Sequence, residues 1–125
     1  MLIGELAERA ATSTRTLRYY ESRGLVCPRR SANGYRIYDE AELEVVNEIR
    51  ALLAAGFDLD EIRPFVACLR AGNTSGSVCP DSVLVLRRKL AEADACIERL
   101  AAVRKQLHGQ LAEAIAARPG RGSVA

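Results

Sequence analysis

Apolar positions recur along this chain at more than one period, and each period predicts a different kind of element. Near the start, Ile3, Leu6, Ala7 and Ala10 fall at i, i+3, i+4 and i+7, which is one face of a short helix. A second short helix follows. Thr12 or Ser13 offers an N-cap hydroxyl, Leu17, Tyr20 and Glu21 come at helical spacing, and Gly24 is the stop. Arg15, Arg18 and Tyr19 are left for the outer face. The tight turn at 11–13 makes the pair a helix-turn-helix, a unit whose second helix can enter a DNA major groove.

Beyond Gly24 the pattern changes to that of a hairpin. Pro28 breaks the chain, Arg29 and Arg30 follow, and Asn33-Gly34 suits a type I′ turn in which both residues take φ > 0. Tyr35 and Ile37 then alternate with Arg36 and Tyr38, as on a strand. Arginines at the base and past the tip would let such a wing lie along phosphates. Leu43, Val46, Ile49, Leu52 and Leu53 predict a third helix, capped by Asp39 and ended by Gly56. Asp58 caps a fourth, bearing Leu59, Ile62, Phe65, Val66 and Leu69, with Pro64 either kinking it or sitting near its first turn. Arg50 is the cation of this pair best placed to reach DNA. Residues 71–77, AGNTSGS, read as a flexible polar linker.

The last segment carries a heptad seam. Leu86, Leu90, Ala93, Ile97, Leu100, Leu107 and Leu111 recur at steps of four and three, interrupted by Arg104 with Val103 beside it. A helix over 81–117 would be roughly 55 Å long at about 1.5 Å per residue. The preceding residues are too few to cover that stripe, so it needs a partner, most simply its own copy. The expected fold is therefore mainly α: a winged helix-turn-helix domain with a small β-hairpin wing at 1–70, a linker at 71–78, a long dimerisation helix at 79–118 and a flexible tail at 119–125.

Charge adds a direction to this picture. With 18 Lys+Arg against 16 Asp+Glu the chain is nearly balanced, so any argument for nucleic acid rests on distribution. Arginines outnumber acids up to Tyr38, and the charges of 39–61 are mostly acidic. A basic face on a near-neutral protein suits a specific DNA binder better than a nonspecific polycation. An enzyme is disfavoured by inventory: a single histidine, no nucleophile motif and no phosphate-binding glycine loop. A pure coiled-coil adaptor would explain the long helix but not the arginine–tyrosine cluster. No apolar window suits a membrane span, and the start MLIGELAERA is unlike a signal peptide, so a soluble cytoplasmic protein is expected. Cys27, Cys68, Cys79 and Cys96 are too dispersed for a disulfide scaffold and are expected to be reduced, Cys27 packed under the wing.

The strings RYYESRGL, NGYRIY and IRALLAAGFDLDEI, in that order, closely resemble the N-terminal DNA-binding domain of the MerR family of transcription regulators. The resemblance implies a homodimer joined through an antiparallel coiled coil, a direction that the heptads alone leave open. It further implies binding to double-stranded DNA at a pseudo-palindromic promoter operator, distortion of that DNA, and RNA polymerase as a partner at the promoter. By the same resemblance, Arg15 and Tyr19 reach base edges or phosphates, and Arg18, Asn33, Tyr35, Arg36, Tyr38 and Arg50 hold phosphates. Many relatives sense metals through a cysteine that starts the dimerisation helix, working with cysteines after the partner's helix. Cys79 matches the first position, but residues 112–125 offer no cysteine or histidine and only Glu113 as an acid. No cofactor is therefore expected. A thiol- or metal-responsive alternative would use Cys68 and Cys79, with a thiophilic ion as its ligand.

Overall fold

The computed structural model describes residues 1–119, and most of the expected tail at 119–125 lies outside the described residues. Helices α1 (Ile3–Arg9) and α2 (Thr14–Ser22) form the helix-turn-helix. Leu6 and Ala7 are buried from the first, Leu17 and Tyr20 from the second, as their spacing requires. Ala11 closes α1 with φ 53°, and the Thr12 amide reaches back to the Ala7 carbonyl at 2.9 Å. Gly24 does the same for α2 at φ 73°, with the Leu25 amide on the Tyr20 carbonyl. Both are left-handed C-terminal closures that satisfy carbonyls the helix leaves open. The second has the residue best suited to it.

Strands β1 (Arg29–Arg30) and β2 (Arg36–Ile37) pair antiparallel, Arg29 opposite Ile37 and Arg30 opposite Arg36. The turn between them is not type I′. Gly34 has φ 82°, but Asn33 is not in the left-handed region. The Gly34 amide donates to the Ser31 carbonyl at 2.9 Å, and the Ser31 amide to the Tyr35 carbonyl at 2.8 Å. This is a three-residue loop in which only the last position takes positive φ. The Ser31 hydroxyl, accepting from the Tyr35 amide at 3.1 Å, favours it over the shorter turn. The chain start joins the end of the wing: the Met1 amino group donates to the Tyr38 carbonyl, and the Tyr38 amide to that of Met1, each at 2.7 Å.

Helices α3 (Glu40–Ala54) and α4 (Leu59–Arg70) complete the packing. Asp39 caps α3 by accepting from the Glu42 amide. Asp58 caps α4 in a reciprocal box with Glu61, and Pro64 lies inside that helix. Val45, Val46, Ile49, Ile62 and Val66 meet Leu6, Leu17 and Leu25 in one core. Leu53 is 37% exposed, so the buried face of α3 is rotated toward Val45 and Glu42.

Residues 71–79 are better packed than a free linker. Gly76 lies so close to α4 that a Cβ there would come within 2.8 Å of the Phe65 carbonyl oxygen. The Asn73 side chain donates to the Cys68 carbonyl at 3.0 Å, and the Ser77 amide to the Ser75 hydroxyl at 3.1 Å. Polar composition suggested freedom; side-chain bonds to the end of α4 remove it. Helix α5 (Pro80–Ala117) follows, and its first turns bury Ser82 and Val85. The compact unit Met1–Val85 ends there. From Leu86 onward the second unit is helical through Ala117, with every described side chain but Lys89 exposed. Among the described residues no helix is long and apolar enough to cross a membrane.

Candidate nucleic-acid interface

The outward face of α2 owes its composition to what pins the inner face. Ser13 caps the helix, accepting from the Thr16 amide at 3.1 Å, and is in hydrogen-bond contact with the Thr16 hydroxyl at 2.9 Å. Leu17 and Tyr20 point into the core, and burial pushes the Tyr20 phenol up, opposed by the charge of Arg50. Arg15, Arg18 and Tyr19 are thereby turned to solvent, Tyr19 at 52% exposure. Neither Arg15 nor Arg18 has an ion pair among the described residues. Unpaired guanidinium groups presented on one helix face are what a phosphate or a guanine edge requires.

The wing brings a second basic surface to the same place. Arg18, Arg30, Tyr35 and Arg36 line one open groove together with Leu2 and Ile3. Tyr35 is 65% exposed at its mouth. Arg30 donates to the Gly34 carbonyl at 3.0 Å, which stiffens the tip, and Arg36 donates through Nε to Glu21 at 3.1 Å. Asn33 is exposed on the loop. Arg30 falls where an arginine at the base of the wing was expected, whereas Leu2 was not expected at this groove. The arginine's place beside Tyr35 depends on the loop type, and nothing in the local pattern marks Leu2.

Tyr38 is a correction. It is only 2% exposed, so it belongs to the core and not to the surface array expected to hold phosphates. Ile37 is half-buried as well, so strict alternation fails at the end of β2. Burial pushes the Tyr38 phenol up, reinforced by Glu21 and opposed by Arg36 and Arg18. Its hydroxyl approaches Glu21 at 3.5 Å. Arg50 is exposed but donates through Nη1 to the Ala10 carbonyl, bracing the turn between α1 and α2.

Other arginines are spent inside the unit. Arg9 binds Glu40 in a two-pronged pair at 2.7 and 3.0 Å, and this contact holds the Glu40 carboxyl below its usual range. Arg63 donates to the Arg23 carbonyl at 2.7 Å, tying α4 to the end of α2. Arg70 meets the buried Glu42 at 2.5 and 3.1 Å and the Leu25 carbonyl at 2.8 Å. Glu42 also accepts from the Cys27 amide at 3.3 Å. This buried pair fixes the chain between α2 and the wing. Within Met1–Val85, Arg15 and Arg18 on α2 are the arginines with neither an ion pair nor a hydrogen bond among the described residues.

Cys68 and Cys79 are joined in a disulfide, their Cα atoms 5.8 Å apart. Cys27 is exposed instead of packed under the wing, and Cys96 is exposed as well. Among the described residues no group of three or more His, Cys, Asp or Glu side chains is gathered for a metal ion. A soft-metal centre wants thiolates and zinc wants four donors, and among the described residues of one chain Cys68 and Cys79 are the two thiols brought together. On α5, Leu90, Ile97, Leu100, Leu107 and Leu111 are each more than half exposed, and Leu86 is 37% exposed. Leu100, Val103, Leu107 and Leu111 share one apolar strip with Arg104 and His108 at its margin.

Comparison with known proteins gives this arrangement a context. The family model described as MerR HTH family regulatory protein matches residues 1–67, and that described as MerR, DNA binding matches residues 43–110. The HTH-type transcriptional regulator HmrR of Rhizobium leguminosarum bv. viciae is 32% identical over 107 residues, 86% of this chain and 81% of HmrR. The transcription regulator PbrR691 from Ralstonia metallidurans CH34, solved in complex with lead(II), is 31% identical. It superposes with a TM-score of 0.68 over 87% of this chain and 84% of PbrR691. HiNmlR, a MerR family regulator lacking the sensor domain and solved on promoter DNA, shares the fold at 22% identity. Its TM-score is 0.57, over 90% of this chain and 83% of that one.

Proposed function

The chain belongs to the MerR family and is a DNA-binding transcription regulator of that type, and from this premise we propose how its own residues divide the work. The unit Met1–Val85 binds double-stranded DNA through α2 and the wing. Arg15 and Tyr19 reach base edges from the major groove. Arg18, Asn33, Tyr35 and Arg36 hold phosphates and set the register, which base contacts then read. Arg50 contributes to phosphate binding with the part of its guanidinium not used on Ala10.

The long helix supplies the second half of the function. Its exposed stripe, Leu86, Leu90, Ala93, Ile97, Leu100, Leu107 and Leu111, pairs with a second copy in an antiparallel coiled coil. Recognition helices in such a homodimer must lie about 34 Å apart to meet half-sites one turn apart. A pseudo-palindromic operator follows, and the protein acts there by distorting promoter DNA in the presence of RNA polymerase. The lead(II) of PbrR691 is not carried over, because among the described residues of one chain only two thiols, Cys68 and Cys79, come together. That linked pair favours a thiol-responsive form of the reading over a metal-responsive one.

The observation that carries the DNA reading is the convergence of Arg18 with Arg30, Tyr35 and Arg36 in one groove. Its test is salt dependence. Binding of the dimer to duplex DNA should weaken steeply as salt rises, and Arg18→Ala should lower the log–log slope by about one, the loss of one phosphate contact. An unchanged slope in a folded variant would remove Arg18 from the interface.

A further inference from the structure

The Cys68–Cys79 link lies at the joint between the last turn of α4 and the start of α5, remote in sequence from the DNA-facing residues. Its sulfurs are not equivalent. Cys68 is 2% exposed, and its Sγ also lies 3.4 Å from the Ser75 carbonyl oxygen. Cys79 is partly exposed, and its carbonyl accepts from the Val83 amide at 3.0 Å, so it occupies the N-terminal cap of α5. The positive end of a helix favours thiolate at that position. Asn73 adds an independent feature. Its side-chain amide holds the Cys68 carbonyl at 3.0 Å and also donates to the Cys79 sulfur at 3.4 Å. One donor thus registers both cysteines and stabilises negative charge on the accessible one.

A permanent structural disulfide is a poor account of this pair. DNA-binding regulators work where thiol buffers keep cysteines reduced, and Cys27 and Cys96 are exposed and unpaired in this chain. We propose that Cys68 and Cys79 are a reversible oxidation site for hydroperoxides, and that its state sets DNA affinity through the α4–α5 joint. The inference rests on the DNA-binding reading above for its output, though not for its chemistry.

In the reduced protein the Cys79 thiolate attacks the distal oxygen of the peroxide. The O–O bond breaks, the departing oxygen leaves as water or alcohol after taking a proton, and Cys79 becomes a sulfenic acid. The Cys68 sulfur then attacks the Cys79 sulfur. The S–S bond forms, the S–O bond breaks, and hydroxide leaves as water with the Cys68 proton. The dithiol has lost two electrons and two protons to the peroxide. A dithiol reductant reverses the state by attacking the more accessible Cys79 sulfur, and Cys68 leaves as the thiolate.

The consequence follows from where the link sits. It closes a segment 11 residues apart in sequence, whose Gly76 already packs on the Phe65 backbone. Oxidation therefore adds a covalent clamp at the point where the chain leaves the DNA-binding unit for the dimerisation helix. A clamped joint loses less freedom on binding a palindrome, so the oxidised dimer binds more tightly.

The experiment uses the full chain and hydrogen peroxide. Stoichiometric peroxide should lower the mass by two hydrogens and protect Cys68 and Cys79 from alkylation, leaving Cys27 and Cys96 open. Duplexes are then selected from a random pool by the reduced and oxidised proteins in parallel, and affinities compared. The oxidised form should bind at least about fivefold more tightly, the lower range of allosteric coupling. Reduction should restore the weaker value without any mutation. Cys79→Ser and Cys68→Ala should each bind as the reduced protein does and ignore peroxide, and Cys27→Ser should respond as wild type. A disulfide that fails to form, that engages Cys27 or Cys96, or that forms without moving affinity overturns the proposal. Failure of both states to select any duplex overturns the DNA reading and the proposed output together, and is distinguished by that absence.

Discussion

Apolar side chains meet opposite fates in the two units of this chain. In Met1–Val85, Leu6, Leu17, Ile49, Ile62 and Phe65 are all but inaccessible. Beyond it, Leu90, Ile97, Leu100, Leu107 and Leu111 are as exposed as charged residues usually are. A fully buried leucine is stabilised by about 1.5–3 kcal/mol relative to an exposed one. The first unit has collected that stabilisation within itself. The second has it still to gain, and a stripe of this length is a large exposed apolar patch. One unit buries its apolar side chains within a single chain, and the other leaves a stripe of them exposed.

The sharpest way to break that contrast is to spoil the stripe. Leu100→Asp would bury an uncompensated charge in any paired seam and should leave a monomer at micromolar concentration, seen by sedimentation. Affinity for a two-half-site duplex should then fall by about 100-fold or more, because the avidity of linked heads is lost. A full-length wild-type chain that sediments as a monomer would refute the contrast outright. A chain ended after Arg87 keeps Ser82 and Val85 in place and should be a folded monomer.

Next in size is the self-sufficiency of the first unit. Arg70→Met strands the buried Glu42 without its cation and should cost about 3 kcal/mol of unfolding free energy, the low end for a broken buried pair because Arg70 is a third exposed. Denaturant titration of the dimer and of the shortened chain should show the same loss. Arg15→Ala tests the surface instead. It should leave the unfolding midpoint unmoved, cost about 1–3 kcal/mol in affinity and relax one operator position if a guanine is read there.

Smaller effects separate core from interface. Tyr38→Phe keeps the ring and removes a hydroxyl 3.5 Å from Glu21, so it should cost under about 1 kcal/mol in stability and nothing in DNA affinity. A clear loss of affinity would return Tyr38 to the interface. The smallest effect is the Arg9–Glu40 pair. Glu40 titrates below its ordinary 4.5, so its contribution is present above that value and fades as pH falls through the lower, folded one. Glu40→Gln should therefore lower stability slightly at neutral pH and leave it unchanged in strong acid, as measured by thermal melts.

Much of the first unit was legible because its determinants are local. Leu17 and Tyr20 had to face inward together, and Arg15, Arg18 and Tyr19 outward, because a helix repeats every 3.6 residues. Asp39, Asp58 and Gly24 announced where helices begin and end, since caps act on neighbouring backbone groups. The apolar stripe of α5 was equally plain. What misled was composition read without context. Asn33-Gly34 suggested a two-residue turn, and a Ser31 hydroxyl bond gave a three-residue loop. Residues 71–77 looked free, and Asn73 and Gly76 fastened them to α4.

The sequence by itself therefore determined the family, the helix boundaries, the outward cations of α2 and the apolar stripe along α5. Each follows from periodicity or from groups a few residues apart. Tertiary structure alone decided that Tyr38 belongs to the core, that Arg70 is committed to Glu42 across the fold, and that Arg18 shares a groove with the wing. It also decided that Cys68 meets Cys79 at bonding distance. These depend on how elements distant in sequence approach one another. Which of several exposed arginines finds a carboxylate, and which stays free for DNA, is settled only when the helices have packed.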